Sequence, residues 1–431
     1  MVTRIEVAAR PGVADARGAG IRSAIRTFLA LPVDDVSTRT IYKIDAPLSP
    51  PEQERVMREL TDPVTERSSL SRLPSSGADW VLRIGFLPGV TDNLGRSAQV
   101  AIEDLIARPL GDDGGVYTET EIHLGGGGLD RGAAARAGGE LLANLLIESL
   151  GVLSGAEWDA ADLDLSLPRF QAAGDPQVRT IDLSGDDPDL ERISREGTLS
   201  LSLNEMSTIR DHYADPARAA ARGALGMPGW PTDVELECLA QTWSEHCKHK
   251  IFNATIRYHE GERTETVRSL FNTYIRGTTE QVAERVDWLV SVFHDNAGVI
   301  RLDDERNLVF KVETHNSPSA LDPYGGAMTG IVGVNRDPFG TGIGAELLFN
   351  VWGYCLASPF YGGEIPAGLL HPRRIRDGVH KGVIDGGNQS GIPYGRGWEF
   401  FDERYLGKPL VYCGTVGWMP SEVNGEPSEN K

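Results

Sequence analysis

Cysteine is scarce in this chain: four in 431 residues, at Cys238, Cys247, Cys355 and Cys413, with no CxxC pair among them. Such scatter excludes a disulfide framework and a structural zinc module of the paired-cysteine kind. No apolar run reaches membrane-spanning length, so no transmembrane helix is expected. The opening stretch, MVTRIEVAARPGV, lacks an apolar signal core and reads directly as folded protein, which points to the cytoplasm. Positive charge is in deficit, with 42 Lys and Arg against 62 Asp and Glu and a net charge of −20. Nucleic-acid affinity rests largely on phosphate neutralisation, so that balance argues against a nucleic-acid partner. Small anionic substrates respond to the local pocket and stay open. Both the GK[ST] of a Walker loop and the HExxH of metalloproteases are missing.

What is present begins with a repeat. RIEVAARPGVADARG (4–18) aligns with VLRIGFLPGVTDNLG (81–95), and the match continues through Ala24 and Ala101, Ile25 and Ile102, Pro32 and Pro109. Each copy reads as strand, PGV turn, amphipathic helix, strand and helix, which predicts two small sheets packed as a pseudo-symmetric pair. No reactive constellation lies inside either copy, so the repeat reads as a packing or interaction module. Residues 153–230 are acidic and punctuated by Pro and Gly, and read as a linker domain with one helix at LNEMSTIRDHY (203–213). From Pro231 the chain is dense with motifs. The closing dozen residues, PSEVNGEPSENK, are polar and read as a frayed tail. The resulting division is 1–76 and 77–152 for the two copies, 153–230 for the linker, 231–419 for the main domain and 420–431 for the tail.

The stretch PTDVELECLAQTWSEHCKH predicts a single helix with Thr232 and Glu235 in capping-box spacing and acidic residues in its first turn. Leu236, Leu239, Ala240, Trp243 and Cys247 form one stripe, which makes Cys247 a small buried hydrophobe and leaves His246 half buried at the stripe's edge with Lys250 one turn above. Three readings of His246 follow. His246 and His249 at i,i+3 can share a zinc ion; His246 can be a capping or core histidine; or it can be a catalytic group whose protonation a nearby cation disfavours.

LVFKVETHNSPSALDPYGGAMTGIVGVNRD (308–337) starts as an alternating strand, with Leu308, Phe310 and Val312 on one face and Val309, Lys311 and Glu313 on the other. A lysine and a glutamate side by side at a strand end suit a phosphate and its magnesium, because hard cations take oxygen ligands. Asp337 can share the metal with Glu313, and Arg336 can fork onto a phosphate. The bland alternative is a set of surface ion pairs.

TWSEHCKHK together with FKVETHNSPSALDPYGGAMTGIVGVNRD resembles phosphoribosylformylglycinamidine synthase, an amidotransferase family of purine biosynthesis. DGVHKGVIDGGNQSGIPYG (377–395) resembles the same family, and the duplicated N-terminal unit resembles its small dimeric subunit fused in tandem. The fold implied is α+β: duplicated small-subunit-like α/β sandwich units, a linker domain, and a domain similar to the N-terminal domain of aminoimidazole ribonucleotide synthetase. The activity implied is ATP-dependent: the glycinamide oxygen of formylglycinamide ribonucleotide is phosphorylated, and ammonia from a glutaminase subunit displaces phosphate. Residue by residue, the resemblance makes His246 and His315 the catalytic histidines and Lys311 an ATP contact. Glu313 and Asp337 become Mg²⁺ ligands, and Thr314, His315, Asn316, Ser317 and Arg336 ribonucleotide contacts. His249 stands where the family often has a tyrosine that touches ATP. The chain reads HNSPS where many members read HNHPS, so Ser317 replaces an imidazole. Family enzymes continue into further homologous domains, so the expected partner is a second-half synthetase chain or a second copy of this one. A non-catalytic organising subunit and another ATP-using enzyme of the superfamily, kinase-like or selenophosphate-forming, are the alternatives.

Overall fold

The computed structural model describes residues 2–111, 114–170, 174 and 177–430. Two compact units emerge: residues 1–171 with 294–431, and residues 172–293. Each is described by itself, in chain order.

The first unit opens with β1 (Val2–Ala9), α1 (Ala16–Leu29), β2 (Asp35–Asp45), α2 (Pro50–Glu59) and β3 (Glu66–Ser69). The pattern then repeats as β4 (Trp80–Phe86), α3 (Asn93–Ile106), β5 (Gly115–Gly125), α4 (Arg131–Ala137) and β6 (Glu148–Ser154), closed by α5 (Gly155–Ala160). The same local device starts each copy's first helix. Asp15 accepts from Gly18 N at 2.8 Å and from Thr38 N at 2.6 Å; Asp92 accepts from Gly95 N at 2.7 Å and from Thr118 N at 2.5 Å. Each aspartate thus caps a helix and ties it to the next strand. Glycine is required there, since a Cβ on Gly18 or Gly95 would lie 2.3 Å from the carbonyl oxygen of Val36 or Val116.

The two expected sheets are in fact one. Its six strands run in the order β3-β1-β2-β5-β4-β6, joined by an antiparallel β2–β5 pair in which Thr40 faces Thr120. The packing explains the merger. Ile25 and Leu29 of α1 pack with Leu82, Ile84, Ile122 and Leu124 of the second copy. Ala98 and Ile102 of α3 pack with Ile5, Val7 and Ile44 of the first. Neither copy completes its core without its twin. The opposite sheet face carries an ionic lattice sealed by Trp158: the fully buried Glu6 accepts from Arg39 at 2.5 Å and Arg4 at 3.0 Å, and Arg4 reaches Glu121 at 3.3 Å. Removing one member would strand a buried charge.

The second unit contains α6 (Asp187–Glu196), α7 (Leu203–Ala214), α8 (Pro216–Ala224) and α9 (Asp233–Thr242). The helix expected at 203–213 is α7, and α6 and α8 add two that weak periodicity had hidden. Leu190 of α6, Met206, Ile209 and Tyr213 of α7, and Leu236 and Ala240 of α9 form a common core. Two short helices follow, α10 (Glu245–Lys248) and α11 (Lys250–Asn253), then a hairpin of β7 (Thr255–Glu260) and β8 (Arg263–Arg268), α12 (Gly277–Ala283) and β9 (Leu289–Ser291).

Back in the first unit, the chain forms β10 (Gly298–Arg301), β11 (Arg306–Thr314), α13 (Asn316–Leu321), α14 (Pro323–Phe339), β12 (Glu346–Leu356), α15 (Pro372–Ser390), β13 (Tyr394–Phe401) and β14 (Leu410–Pro420). The strand order here is β13-β12-β14-β11-β10. Helices α14 and α15 cover one face, where Ile331, Val334, Val379 and Val383 pack on Tyr354, Leu356, Val411 and Cys413. The other face is open and apolar, with Phe310, Val312, Trp398 and Phe400 between 44% and 49% exposed. The alternation expected for β11 holds, and its apolar side is the open one. The C-terminal stretch is not frayed as expected. β15 (Glu422–Val423) and β16 (Glu426–Pro427) form a small hairpin, and Ser428, fully buried, accepts from Ile343 N at 2.9 Å. No helix among the described residues is long and apolar enough to cross a membrane.

Candidate active site

Strand β11 sets the first half of the site. Its ladder with β14 places Lys311 opposite Thr415 and Glu313 opposite Cys413, both on the helix-covered face. Helix α14 brings Asp337 to the same point. Lys311 Nζ lies 2.8 Å from Asp337 Oδ2 and 3.3 Å from Glu313 Oε1, and donates to the backbone carbonyl of Asn296 at 3.1 Å. Partial burial works against the ammonium, but the hydrogen bonds and charges of Asp337 and then Glu313 outweigh it and hold its pKa above the ordinary lysine value. Gly333 gives the glutamate its room, since a Cβ there would sit 3.2 Å from Glu313 Oε2.

The donor set bears on a metal ion. Two carboxylates already converge on a point held by a cation, and magnesium is commonly bound through one or two carboxylates completed by phosphate oxygens and water. Glu313 and Asp337 fit that role. Among the described residues no group of three or more His, Cys, Asp or Glu side chains is placed to hold a metal by itself. Among the described residues, His246 and His249 thus have no further such side chain placed to complete a zinc site with them.

The loop after β11 is fastened to β14. His315 N donates to the Val411 carbonyl at 2.8 Å, and the Asn316 side-chain oxygen accepts from Val411 N at 2.8 Å. Asn316, expected to contact a ribonucleotide, therefore spends its carbonyl on holding the loop. The His315 ring lies against α14 at Gly330, where a Cβ would be 3.1 Å from His315 Cβ and 2.9 Å from Cys413 Sγ. Its Nδ1 is buried, with no hydrogen-bond partner among the described residues. Burial, with Glu313 adding to it, pushes the Cys413 thiol up to about 12, so this cysteine is inert filling beneath the site. Thr314 and Ser317 are exposed at the loop's rim. Arg336, 77% exposed and 3.6 Å from Asp337 at its Nε, is free to reach outward.

His246 and His249 belong to the other unit, and there the expected single helix is broken twice. Trp243 ends α9; Ser244 then restarts the chain as the cap of α10, its hydroxyl accepting from Cys247 N at 3.2 Å. His249 takes a left-handed backbone, φ 53°, between α10 and α11. The stripe holds through Trp243 and fails beyond it, because a serine side chain satisfies the backbone locally and favours a new start over continuation. Cys247 is consequently exposed, not buried, and His246 is exposed, not half buried. Lys250 does not stand over His246 as a lone cation; it pairs with Glu205 at 3.0 Å.

Sequence reading missed Asn296, whose carbonyl completes the lysine's acceptors and whose side chain ties to the Gly340 carbonyl at 3.2 Å. A backbone acceptor leaves no mark on side-chain identity, so no signal pointed to it.

Two family models match the chain. Residues 190–250 match the formylglycinamide ribonucleotide amidotransferase linker domain, and residues 294–419 match the N-terminal domain of AIR synthase related proteins. Among curated proteins, the phosphoribosylformylglycinamidine synthase subunit PurL of Thermoplasma volcanium is 33% identical over 235 residues, covering 54% of this chain and 26% of the relative. That of Thermoplasma acidophilum is 34% identical over 244 residues, covering 56% and 27%. Among solved structures, T. maritima PurL complexed with ADP is 28% identical, covering 47% of this chain and 26% of that one, with a TM-score of 0.30. The chain thus spans about a quarter of the length of the curated relatives it matches. Over residues 190–250 and 294–419 the chain is thus similar to the linker and AIR-synthase-related N-terminal domains, and over just over half of its length it is similar to synthetase subunits of phosphoribosylformylglycinamidine synthase.

Proposed function

We propose that the chain takes part in the ATP-dependent conversion of formylglycinamide ribonucleotide to its amidine, with ammonia supplied by a glutaminase. The observation that carries this reading is the convergence of Lys311, Glu313 and Asp337, where β11 meets α14 inside the AIR-synthase-related domain. An amide oxygen leaves poorly until it is phosphorylated, so the reaction needs a phosphoryl donor and an amine held near one carbon. Glu313 and Asp337 would hold Mg²⁺, which when bound neutralises charge on the nucleotide's phosphates. Lys311 binds the phosphates and His249 the nucleotide. Arg336, Thr314, Asn316 and Ser317 orient the ribonucleotide, with the exposed guanidinium forking onto its phosphate. His315 and His246 hold and move the protons, one at the amide being activated and the other at the entering ammonia.

The partner would be a domain of the same kind, docked on the open face of the sheet through Phe310, Val312, Trp398 and Phe400; a second copy of this chain is the occupant we propose. The tandem copies, residues 1–76 and 77–152, would stand in for the family's small dimeric subunit. Their reciprocal core packing supports a fused pair acting as one body.

Substituting His246→Ala tests the reading. Losing a positioned acid–base group costs about 10²–10⁴-fold in rate, and an exposed histidine contributes little to stability, so folding should persist. Turnover with ammonium as nitrogen donor that stays within a few fold of the parent would overturn the assignment of this histidine.

A further inference from the structure

The Lys311 ammonium is ion-paired with Asp337 Oδ2 at 2.8 Å and Glu313 Oε1 at 3.3 Å and donates to the Asn296 carbonyl at 3.1 Å. The same lysine is thus both the group assigned to the nucleotide and the cation that now keeps two carboxylates together. Both roles cannot be filled at once. We infer that Lys311 is a tethered cation that blocks Glu313 and Asp337 from divalent metal until nucleotide phosphates draw it away, so that metal and nucleotide bind as a coupled pair.

This inference rests on the reading of Glu313 and Asp337 as metal ligands, and its physical basis is charge. With Lys311 in place, a divalent ion approaching the carboxylates meets a like charge about one hydrogen-bond length from each of its ligands, which in a partly buried site is strongly unfavourable. Without Lys311, two carboxylates face each other uncompensated, and that state demands a cation. Phosphates resolve the conflict, because the lysine's flexible stem lets the ammonium swing to a new anion while the carboxylates stay where β11 and α14 fix them. The surroundings favour that division of labour. Gly333 and the Glu313–Cys413 register hold the glutamate, and the last turn of α14 holds Asp337, whereas the polar contacts of the Lys311 ammonium among the described residues are the three it would give up. Linkage then requires reciprocity: nucleotide raises metal affinity by the factor by which metal raises nucleotide affinity.

The test is Mn²⁺ binding to the full chain, read from the electron paramagnetic resonance signal of free Mn²⁺, with and without a methylene-bridged ATP analogue. The parent should bind Mn²⁺ at least about tenfold more tightly with the analogue than without it. Lys311→Met should tighten nucleotide-free Mn²⁺ binding by at least about tenfold and lose most of the coupling, while Lys311→Arg should keep the parent's weak nucleotide-free binding. No gain of Mn²⁺ affinity in Lys311→Met, with analogue binding intact in the parent, would overturn the inference and leave the assignment to ATP chemistry standing. A gain in Lys311→Met with no analogue binding by the parent would do the reverse. Should Lys311→Met fail to fold, the parent decides by itself: equal Mn²⁺ affinity with and without the analogue overturns the inference.

Discussion

Phe310→Glu places a carboxylate in the open face of the C-terminal sheet. Phe310 is 48% exposed, with Val312 (47%) two residues along the same strand and Trp398 (44%) and Phe400 (49%) on β13. Burying a phenylalanine side chain completely contributes about 1.5–3 kcal/mol, and roughly half of that, about 1 kcal/mol, remains to be gained when a partner covers Phe310. In a symmetric pair the residue counts twice, so the loss of apolar burial alone removes about 2 kcal/mol, or about 30-fold in dissociation constant. Two unpaired carboxylates in the interface add a desolvation cost of the same sign. The isolated fold should hardly respond, because the site is on the surface and substitutions there stay within about 0.5 kcal/mol. Sedimentation velocity across a wide concentration range measures the outcome. The parent should self-associate, and the variant should dissociate at concentrations at least about 30-fold higher, with an unchanged thermal melt. A parent that remains monomeric throughout, or a variant that associates as the parent does, would refute the pairing.

Three other outcomes follow from the same geometry. Glu313→Gln and Asp337→Asn should each raise the magnesium concentration needed for nucleotide binding, since each removes an anionic ligand; unchanged titrations in both would mark the cluster as ordinary surface ion pairs. Gly382→Ala should destabilise the fold by about 1–3 kcal/mol in urea denaturation despite the usual helix-propensity gain of about 1 kcal/mol. Its Cβ would lie 2.2 Å from the Tyr324 carbonyl oxygen, a rigid backbone atom on α14, and would force the two covering helices apart. Gly333→Ala should instead leave stability unchanged or slightly raised, because its Cβ meets only the movable end of Glu313 at 3.2 Å, while metal affinity with nucleotide present falls; an unchanged affinity would show that the glutamate's position is not critical.

Much of this was legible in the sequence where local rules decide. The PGV turns and the aligned helices fixed the repeat, because each copy uses its own aspartate cap and its own glycine at the helix–strand contact. The alternation in LVFKVET put Lys311 and Glu313 on one face, and the small residues of PYGGAMTG announced close helix packing. What the sequence concealed was set by distant or competing contacts. The single six-stranded sheet depends on pairing β2 with β5, about eighty residues apart, and on helices that complete each other's cores. The breaks at Ser244 and His249 came from a local cap that outcompeted a continuing stripe. The closing hairpin formed because a polar tail found backbone partners near Gly342, and the carbonyl of Asn296 joined the site through its main chain alone.

The proposed phosphorylation of the glycinamide carbonyl oxygen, the one that the amidine nitrogen replaces, is tested most directly by isotope transfer. Formylglycinamide ribonucleotide carrying ¹⁸O in that oxygen would be incubated with ATP, ammonium and the protein assembled with the partner proposed above, and the inorganic phosphate analysed by mass spectrometry. The account predicts one ¹⁸O in phosphate for each amidine formed, and loss of both products in His246→Ala. Amidine formed with unlabelled phosphate, or an assembled protein that binds nucleotide yet forms no amidine, would contradict it.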